Sequence, residues 1–165
     1  MTRAAVACLA ALAATAALAP GAAGQPAPQL QGTFQMTGRV TVAHNVRGEH
    51  VGQIVQRTWT FTPLCPTLPC PTVQLVRQRA TGTDSLTLHE TSPDVYTGDG
   101  RYVAPLRCAG RIYRPGQAVP YTITVHVTPT GQLRATYVNR SRINLTPCIG
   151  VLGHDSARYI GVNPQ

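Results

Sequence analysis

The chain has 165 residues and a formal net charge of +8, with 43% hydrophobic residues. This length suits one domain around one core. The basic charge favours anionic partners, but the arginines are dispersed along the chain. That dispersal, in a chain that we expect to be exported, argues against nucleic-acid binding and leaves solubility as the alternative explanation of the charge.

Residues 1–24 have the three-part layout of a secretory signal peptide. Arg3 supplies the positive start, an uncharged run rich in Ala, Leu and Val covers residues 4–19, and Pro20 ends that run. The run is shorter than the roughly 20 apolar residues that span a bilayer. Small residues ahead of Gln25 suit cleavage there. We therefore expect a secreted or extracytoplasmic protein, of bacterial type, with no stable membrane insertion after cleavage; an uncleaved N-terminal anchor is the alternative.

The remainder divides into a short lead and one domain. Residues 25–31 are rich in proline and are expected to be extended and flexible, and residues 32–165 form a single β domain. Four cysteines lie in this part, at Cys65, Cys70, Cys108 and Cys148. An even number in an exported chain predicts two disulfides, of which the most local pairs Cys65 with Cys70 and leaves Cys108 for Cys148.

Apolar and polar residues alternate with a period of two through the first half of the domain, which predicts half-buried strands. These strands cover residues 34–42, 51–62 and 72–79, with a short fourth strand around Leu86 and Leu88. Turns are predicted at residues 45–50, 81–84 and 92–94, and the segment 63–71, which holds four prolines, is predicted to be a rigid loop.

The second half of the domain is less regular before residue 119. Gly98-Asp99-Gly100 interrupts a strand-rich stretch and predicts a tight hairpin, and a weaker strand over 106–113 ends at Arg114-Pro115-Gly116. Residues 119–127 give the clearest strand, followed by strands from Leu133 towards Ile143 and around 157–160. The pattern predicts an all-β fold, an antiparallel meander of about eight strands closed into a barrel, with a β-sandwich as the alternative.

No arrangement of residues indicates catalysis, a cofactor or a metal. His154-Asp155-Ser156 holds the residue types of a catalytic triad, but adjacent residues on a strand point to opposite faces. The acidic residues are few, and most are expected to serve turns. The five histidines are scattered; only His44 and His50 are placed to face each other, across the first hairpin.

Arginine and aromatic residues give the candidate ligand site. Counting by twos, Arg57 shares a face with Trp59, and Arg77 and Arg79 share a face with Leu75, so all three arginines are predicted to point into the barrel near one end. A ligand carboxylate or phosphate could pair with them; a β-bulge or extension of the stems to the rim would instead turn them outward. The candidate ligand-binding residues are Arg57, Trp59, Arg77, Tyr121 and Tyr137.

These features predict an exported, non-enzymatic binding or interaction domain of the cell envelope or extracellular space. Its partner would be a small acidic or apolar ligand inside the barrel, or an anionic envelope polymer on an outer stripe of Arg134, Arg140 and Arg142. Two alternatives remain. One is a protease inhibitor that presents the loop 65–70 with Leu68 at its tip, and the other is a small secreted hydrolase.

Overall fold

The computed structural model describes residues 29–163, which form nine β-strands. The predicted signal peptide and most of the proline-rich lead lie outside the described residues. The described part contains no helix able to cross a membrane. The strands are β1 (Gly32–His44), β2 (Ile54–Pro63), β3 (Thr72–Arg79), β4 (Gly82–Ser92), β5 (Val95–Cys108), β6 (Arg111–Val127), β7 (Leu133–Asn139), the two-residue β8 (Ile143–Asn144) and β9 (His154–Val162).

Eight of these strands close into an antiparallel barrel, as predicted. Strands β1 to β7 pair in sequence order, β9 pairs with β7, and β9 also pairs with β1 to complete the circle. The short β8 pairs with β6 alone. Closure removes the sheet edges that an open sandwich would leave unpaired.

Strands β4, β5 and β6 are longer than the sequence suggested. Strand β5 runs unbroken through Gly98 and Gly100, where a hairpin was predicted, and β6 continues through Pro115. The glycines permit close approach: a Cβ on Gly98 would collide with the carbonyl oxygen of Thr87, and one on Gly100 would collide with the Tyr121 ring. They are therefore packing positions within a strand, and the real β5–β6 turn lies at residues 109–110.

Other strand bounds differ more locally. Strand β2 begins at Ile54 rather than at Val51, and β7 ends at Asn139 instead of continuing to Ile143. The turn predicted at residues 81–84 is tighter, because Asp84 already lies within β4. This last difference changes the interpretation of the site, since it places the carboxylate on a strand opposite Arg77.

Both predicted disulfides are present, one at each end of the barrel. Cys65–Cys70 closes the loop between β2 and β3, with 5.5 Å between the Cα atoms, and Cys108–Cys148 joins the end of β5 to the β8–β9 loop, with 5.7 Å. The second bond fixes the loop that follows β8 against the β5–β6 hairpin. Covalent closure of this kind restricts the unfolded chain most where the loop is long.

Only one half of the barrel is filled by a packed core. That half lies nearest the β2–β3, β4–β5 and β6–β7 connections and contains, among others, Phe34, Trp59, Leu75 and Ile123. Leu30 is fully buried in this core, and the Gln29 side chain bonds to the backbone of Cys70, so the packed structure begins before β1.

Candidate functional site

The other half of the barrel encloses a cavity of about 980 Å³ that reaches solvent at the β1–β2, β3–β4, β5–β6 and β8–β9 connections. Tyr137 and Tyr159 belong both to the core and to the cavity wall, and they mark the floor. Small-molecule sites in proteins commonly have volumes of about 300–1,000 Å³. This half of the barrel is therefore roomy enough for a ligand.

The three arginines predicted to face inward all line this cavity. Strand β2 pairs with β1 without a break from Ile54 to Phe61, and β3 pairs with β4 without a break from Thr72 to Arg79, so no bulge turns the arginines outward. Arg77 is only 4% exposed, whereas Arg57 and Arg79 are half-buried. The period-two pattern thus placed these side chains on the inner face, and their contact with a ligand stays a prediction.

Asp84 binds two of these arginines. Its Oδ2 accepts from Arg77 Nη2 at 2.6 Å and from Arg77 Nε at 3.1 Å, and its Oδ1 accepts from Arg79 Nε at 2.7 Å. The Tyr121 hydroxyl donates a further short hydrogen bond to Oδ2. Asp84 was expected to serve a turn. It could have been recognised from the sequence, because it shares the period-two phase of the inward residues Leu86 and Leu88.

The surroundings keep the Asp84 carboxylate ionised. Burial alone would raise the pKa of Asp84, but the Arg77 charge and the hydrogen bonds from Tyr121, Arg77 and Arg79 outweigh burial and lower it. Burial, with the added effect of Asp84, raises the pKa of the Tyr121 phenol, so Tyr121 stays a donor at neutral pH. One carboxylate faces two guanidinium groups here, which leaves this side of the barrel positive.

Tyrosine rings hold the two guanidinium groups in place. The Arg77 guanidinium lies 4.0 Å from the centroid of Tyr121 and 5.5 Å from that of Tyr137, and the Arg79 guanidinium lies 3.9 Å from that of Tyr102. Ring centroids of Tyr102, Tyr121 and Tyr137 follow one another at 5.8 Å and 5.5 Å. A guanidinium fixed over an aromatic face loses little conformational freedom when it binds an anion.

A second charged cluster lies on the opposite side of the cavity, around Arg142. Its Nη2 donates to Asp155 Oδ1 at 2.9 Å and to Glu49 Oε1 at 3.4 Å, and its Nε donates to the same Asp155 oxygen at 3.2 Å. The prediction of an outward Arg142 was wrong. Because β7 ends at Asn139, the strand phase no longer applies, and the Arg142 amide instead bonds to the Gly153 carbonyl.

The pKa of the Glu49 carboxyl is raised above its ordinary value. Burial is the largest cause and the neighbouring Asp155 charge is the next, and together they exceed the opposing effect of Arg142. No pattern in the sequence indicates this cluster, since Glu49 lies in the β1–β2 loop, Arg142 in the loop before β8, and Asp155 on β9. Loop residues have no periodicity that would predict whether their side chains point into or out of the barrel.

Arg57 is the partly buried arginine of the cavity wall that has no carboxylate partner among residues 29–163; the exposed Arg47 and Arg107 at the mouth also have none. Arg57 Nη1 donates at 2.8 Å to the carbonyl of its neighbour Gln56, and no described ion pair includes Arg57. The Tyr137 hydroxyl is buried on the same wall, where it makes no hydrogen bond of ordinary geometry and lies near Tyr102. Six arginines line the cavity, and the carboxylates that contact them are Asp84, Asp155 and Glu49.

Two of the candidate ligand residues do not reach the cavity. Trp59 is 1% exposed and packs in the core against Phe61 and Tyr159. Tyr121 is also buried, with its hydroxyl on Asp84. The structure therefore places Arg57, Arg77 and Tyr137 on the cavity wall, while Trp59 and Tyr121 support the wall from behind.

In the structure His44 pairs with His154 instead of with His50, the partner expected across the first hairpin. His44 stacks on His154, with 4.9 Å between ring centroids, because β1 pairs with β9 at this position. Within residues 29–163 there is no group of three or more metal-ligating side chains. Asp155 is buried inside the barrel, whereas Ser156 bonds to Thr41, so the adjacent triad residue types are separated by the alternation of β9.

The loop considered for protease inhibition lies at the opposite end of the barrel from the cavity. Leu68 is 57% exposed at its tip, and Cys70 is fully buried. The ring is held by its disulfide and by two hydrogen bonds to Gln29. The loop therefore forms a braced corner between β2 and β3.

Comparison with known proteins adds no functional assignment. No family model matches the chain, and no curated protein or solved structure is significantly similar to it.

Proposed function

We propose that this protein is an exported binding protein that holds a small acidic molecule in the open half of its barrel. The observation that carries the proposal is Arg57, which faces a solvent-connected cavity of about 980 Å³ and has no carboxylate partner in the part of the chain that the structure describes. A guanidinium at such a position gains a strong, charge-assisted hydrogen bond when an anion enters. The ligand is thus expected to carry a carboxylate or a phosphate.

The charged and apolar residues of the cavity wall support the same class of ligand. The arginines of the wall outnumber the carboxylates that engage them, so the local field favours an anion. Between the charged groups lie Val55, Ala104 and Ala157, with Tyr102 and Tyr137. A molecule with one acidic group and a compact apolar or aromatic body would satisfy both parts of the wall.

We propose binding and not catalysis, because each carboxylate of the cavity wall is engaged by an arginine. Asp84 is occupied by Arg77 and Arg79, and Asp155 is occupied by Arg142. The two disulfides are compatible with a location outside the cytoplasm, as the proposal requires.

Native mass spectrometry of the protein purified from the cells that make it tests this proposal. We expect a retained small molecule that dissociates on activation and carries an acidic group. Arg57→Gln should lose this adduct, whereas Arg134→Gln, an exposed arginine at the filled end of the barrel, should keep it. An adduct equally retained by both variants would contradict the role of Arg57.

A further inference from the structure

An apolar segment lies on the rim of the cavity mouth. In the β8–β9 loop, Ile149 is 92% exposed, Val151 is 72% exposed and Leu152 is 47% exposed. Ile149 and Val151 also line the mouth itself. Three large aliphatic side chains within four residues are an unusual concentration of exposed apolar surface for a soluble domain.

This segment is fixed in place on both sides. The disulfide Cys108–Cys148 ties its start to the β5–β6 hairpin. The Asn45 side-chain amide donates a short hydrogen bond to the Val151 carbonyl, and the Arg142 backbone N–H donates to the Gly153 carbonyl at 2.8 Å. The aliphatic side chains are therefore held outward by tethered backbone.

Exposed arginines flank the apolar segment. Arg47 lies in the β1–β2 loop on one side, and Arg107 and Arg111 lie on either side of the β5–β6 turn on the other. Arg107 directly precedes Cys108, so the disulfide brings it beside the start of the segment. Arg47 and Arg107 also line the mouth.

Acidic groups that could neutralise these arginines are engaged or distant. Glu49, Asp84 and Asp155 are bound by arginines inside the barrel. The other three acids of the chain lie elsewhere: Glu90 and Asp94 flank the β4–β5 turn at the filled end, and Asp99 accepts from Thr122 on the outer wall. The barrel is therefore polarised, with its mouth positive.

We propose that the mouth of the barrel docks on an anionic lipid bilayer, with Ile149, Val151 and Leu152 in the interfacial layer and the flanking arginines on lipid phosphates. Positive charge on two sides of a small aliphatic segment matches the layering of a bilayer surface, where phosphates lie above hydrocarbon. This docking does not depend on the identity of the cavity ligand.

Vesicle sedimentation tests the docking, with the protein lacking residues 1–24, which retains the whole barrel and its core. At low salt we expect binding to vesicles of phosphatidylglycerol and phosphatidylcholine, and little binding to phosphatidylcholine alone. Each basic residue near such a surface contributes about fivefold in affinity. The triple variant Arg47→Gln, Arg107→Gln, Arg111→Gln should therefore bind about 100-fold more weakly.

The apolar part is tested by Ile149→Ser with Val151→Ser, which should reduce binding at least tenfold, since both side chains enter the interface. Leu64→Ser with Leu68→Ser is the matched control, because both leucines are half-exposed at the opposite end. The control should bind like the unaltered protein. Equal binding to both vesicle types, equal loss in the control, or no binding to either vesicle would overturn the proposal, the last leaving this surface for a protein partner.

Discussion

Replacing Asp84 by asparagine should destabilise the barrel more than any other single loss of charge. The Asp84 side chain is 6% exposed and, within residues 29–163, is the sole carboxylate that bonds to Arg77, whose side chain is 5% exposed. Removing one partner of a buried ion pair commonly costs 3–5 kcal/mol, because the other charge stays buried without compensation. Arg79 is more exposed and the cavity admits solvent, so we expect about 3 kcal/mol, at the lower end of that range.

Urea unfolding of the disulfide-bonded protein measures this loss. If the free energy of unfolding depends on urea concentration with the same slope in the variant and the unaltered protein, the two unfold to the same state. Asp99→Asn is the matched control, since its carboxylate accepts a single hydrogen bond, from Thr122, on the outer wall. We expect the control to lose about 1 kcal/mol or less. Equal losses in the two variants would refute the role of Asp84 as the anchor of both arginines.

The pH dependence of this difference has a defined sign. Folding lowers the pKa of Asp84 below its ordinary value of 3.8, so its stabilising contribution is complete above that value. The contribution is lost as the pH falls through the lower pKa of the folded protein. The gap in stability between the unaltered protein and Asp84→Asn should therefore be constant near neutrality and shrink below about pH 4.

Three further results are expected. Replacing both cysteines of Cys108–Cys148 by serine should cost about 4 kcal/mol in urea unfolding, against about 2 kcal/mol for Cys65–Cys70, because the first closes a 40-residue separation and the second a 5-residue one; equal costs would count against the chain-entropy argument. Folding raises the pKa of Glu49, so the contribution of its protonated form to stability is complete below the ordinary value of 4.5 and is lost as the pH rises. At pH 7, Glu49→Gln should therefore be as stable as the unaltered protein or more stable by up to about 1 kcal/mol. A clear loss of stability would contradict this sign. Gly98→Ala should lower the thermal midpoint, at a cost of about 1–3 kcal/mol, because its Cβ would meet a backbone carbonyl of β4; an unchanged midpoint would mean that the strands can separate there without penalty.

The barrel could be predicted because its strands show simple alternation. Residues 34–42 and 119–127 carry an apolar residue at nearly every second position, and these positions face the interior in the structure. Val42 is the exception: a bulge between Val40 and Val42 reverses the alternation, and Val42 is exposed. The same counting put Arg57, Arg77 and Arg79 inside. It failed at Gly98 and Gly100, where the absence of a side chain was interpreted as a turn but instead makes room for Thr87 and Tyr121.

The second half of the charged site could not be predicted, for a different reason. Glu49 and Arg142 meet only because the β1–β2 loop and the loop before β8 approach each other over the mouth, 93 residues apart in the chain. Such an approach depends on barrel closure and on the backbone bond from Arg142 to Gly153. Neither leaves a local pattern in the sequence.

Titration of the purified protein with a set of small carboxylates and phosphates, followed by isothermal calorimetry, is the decisive test of an anion site beside Arg57. We expect at least one member with an aromatic or compact apolar body to bind at a single site. Arg57→Gln should weaken that binding about 10- to 100-fold, as the loss of a charge-assisted hydrogen bond predicts, while Arg134→Gln leaves it unchanged. Binding that is equally strong in Arg57→Gln, or preference for the neutral amide of the same ligand, would contradict an anion site in the open half of the barrel.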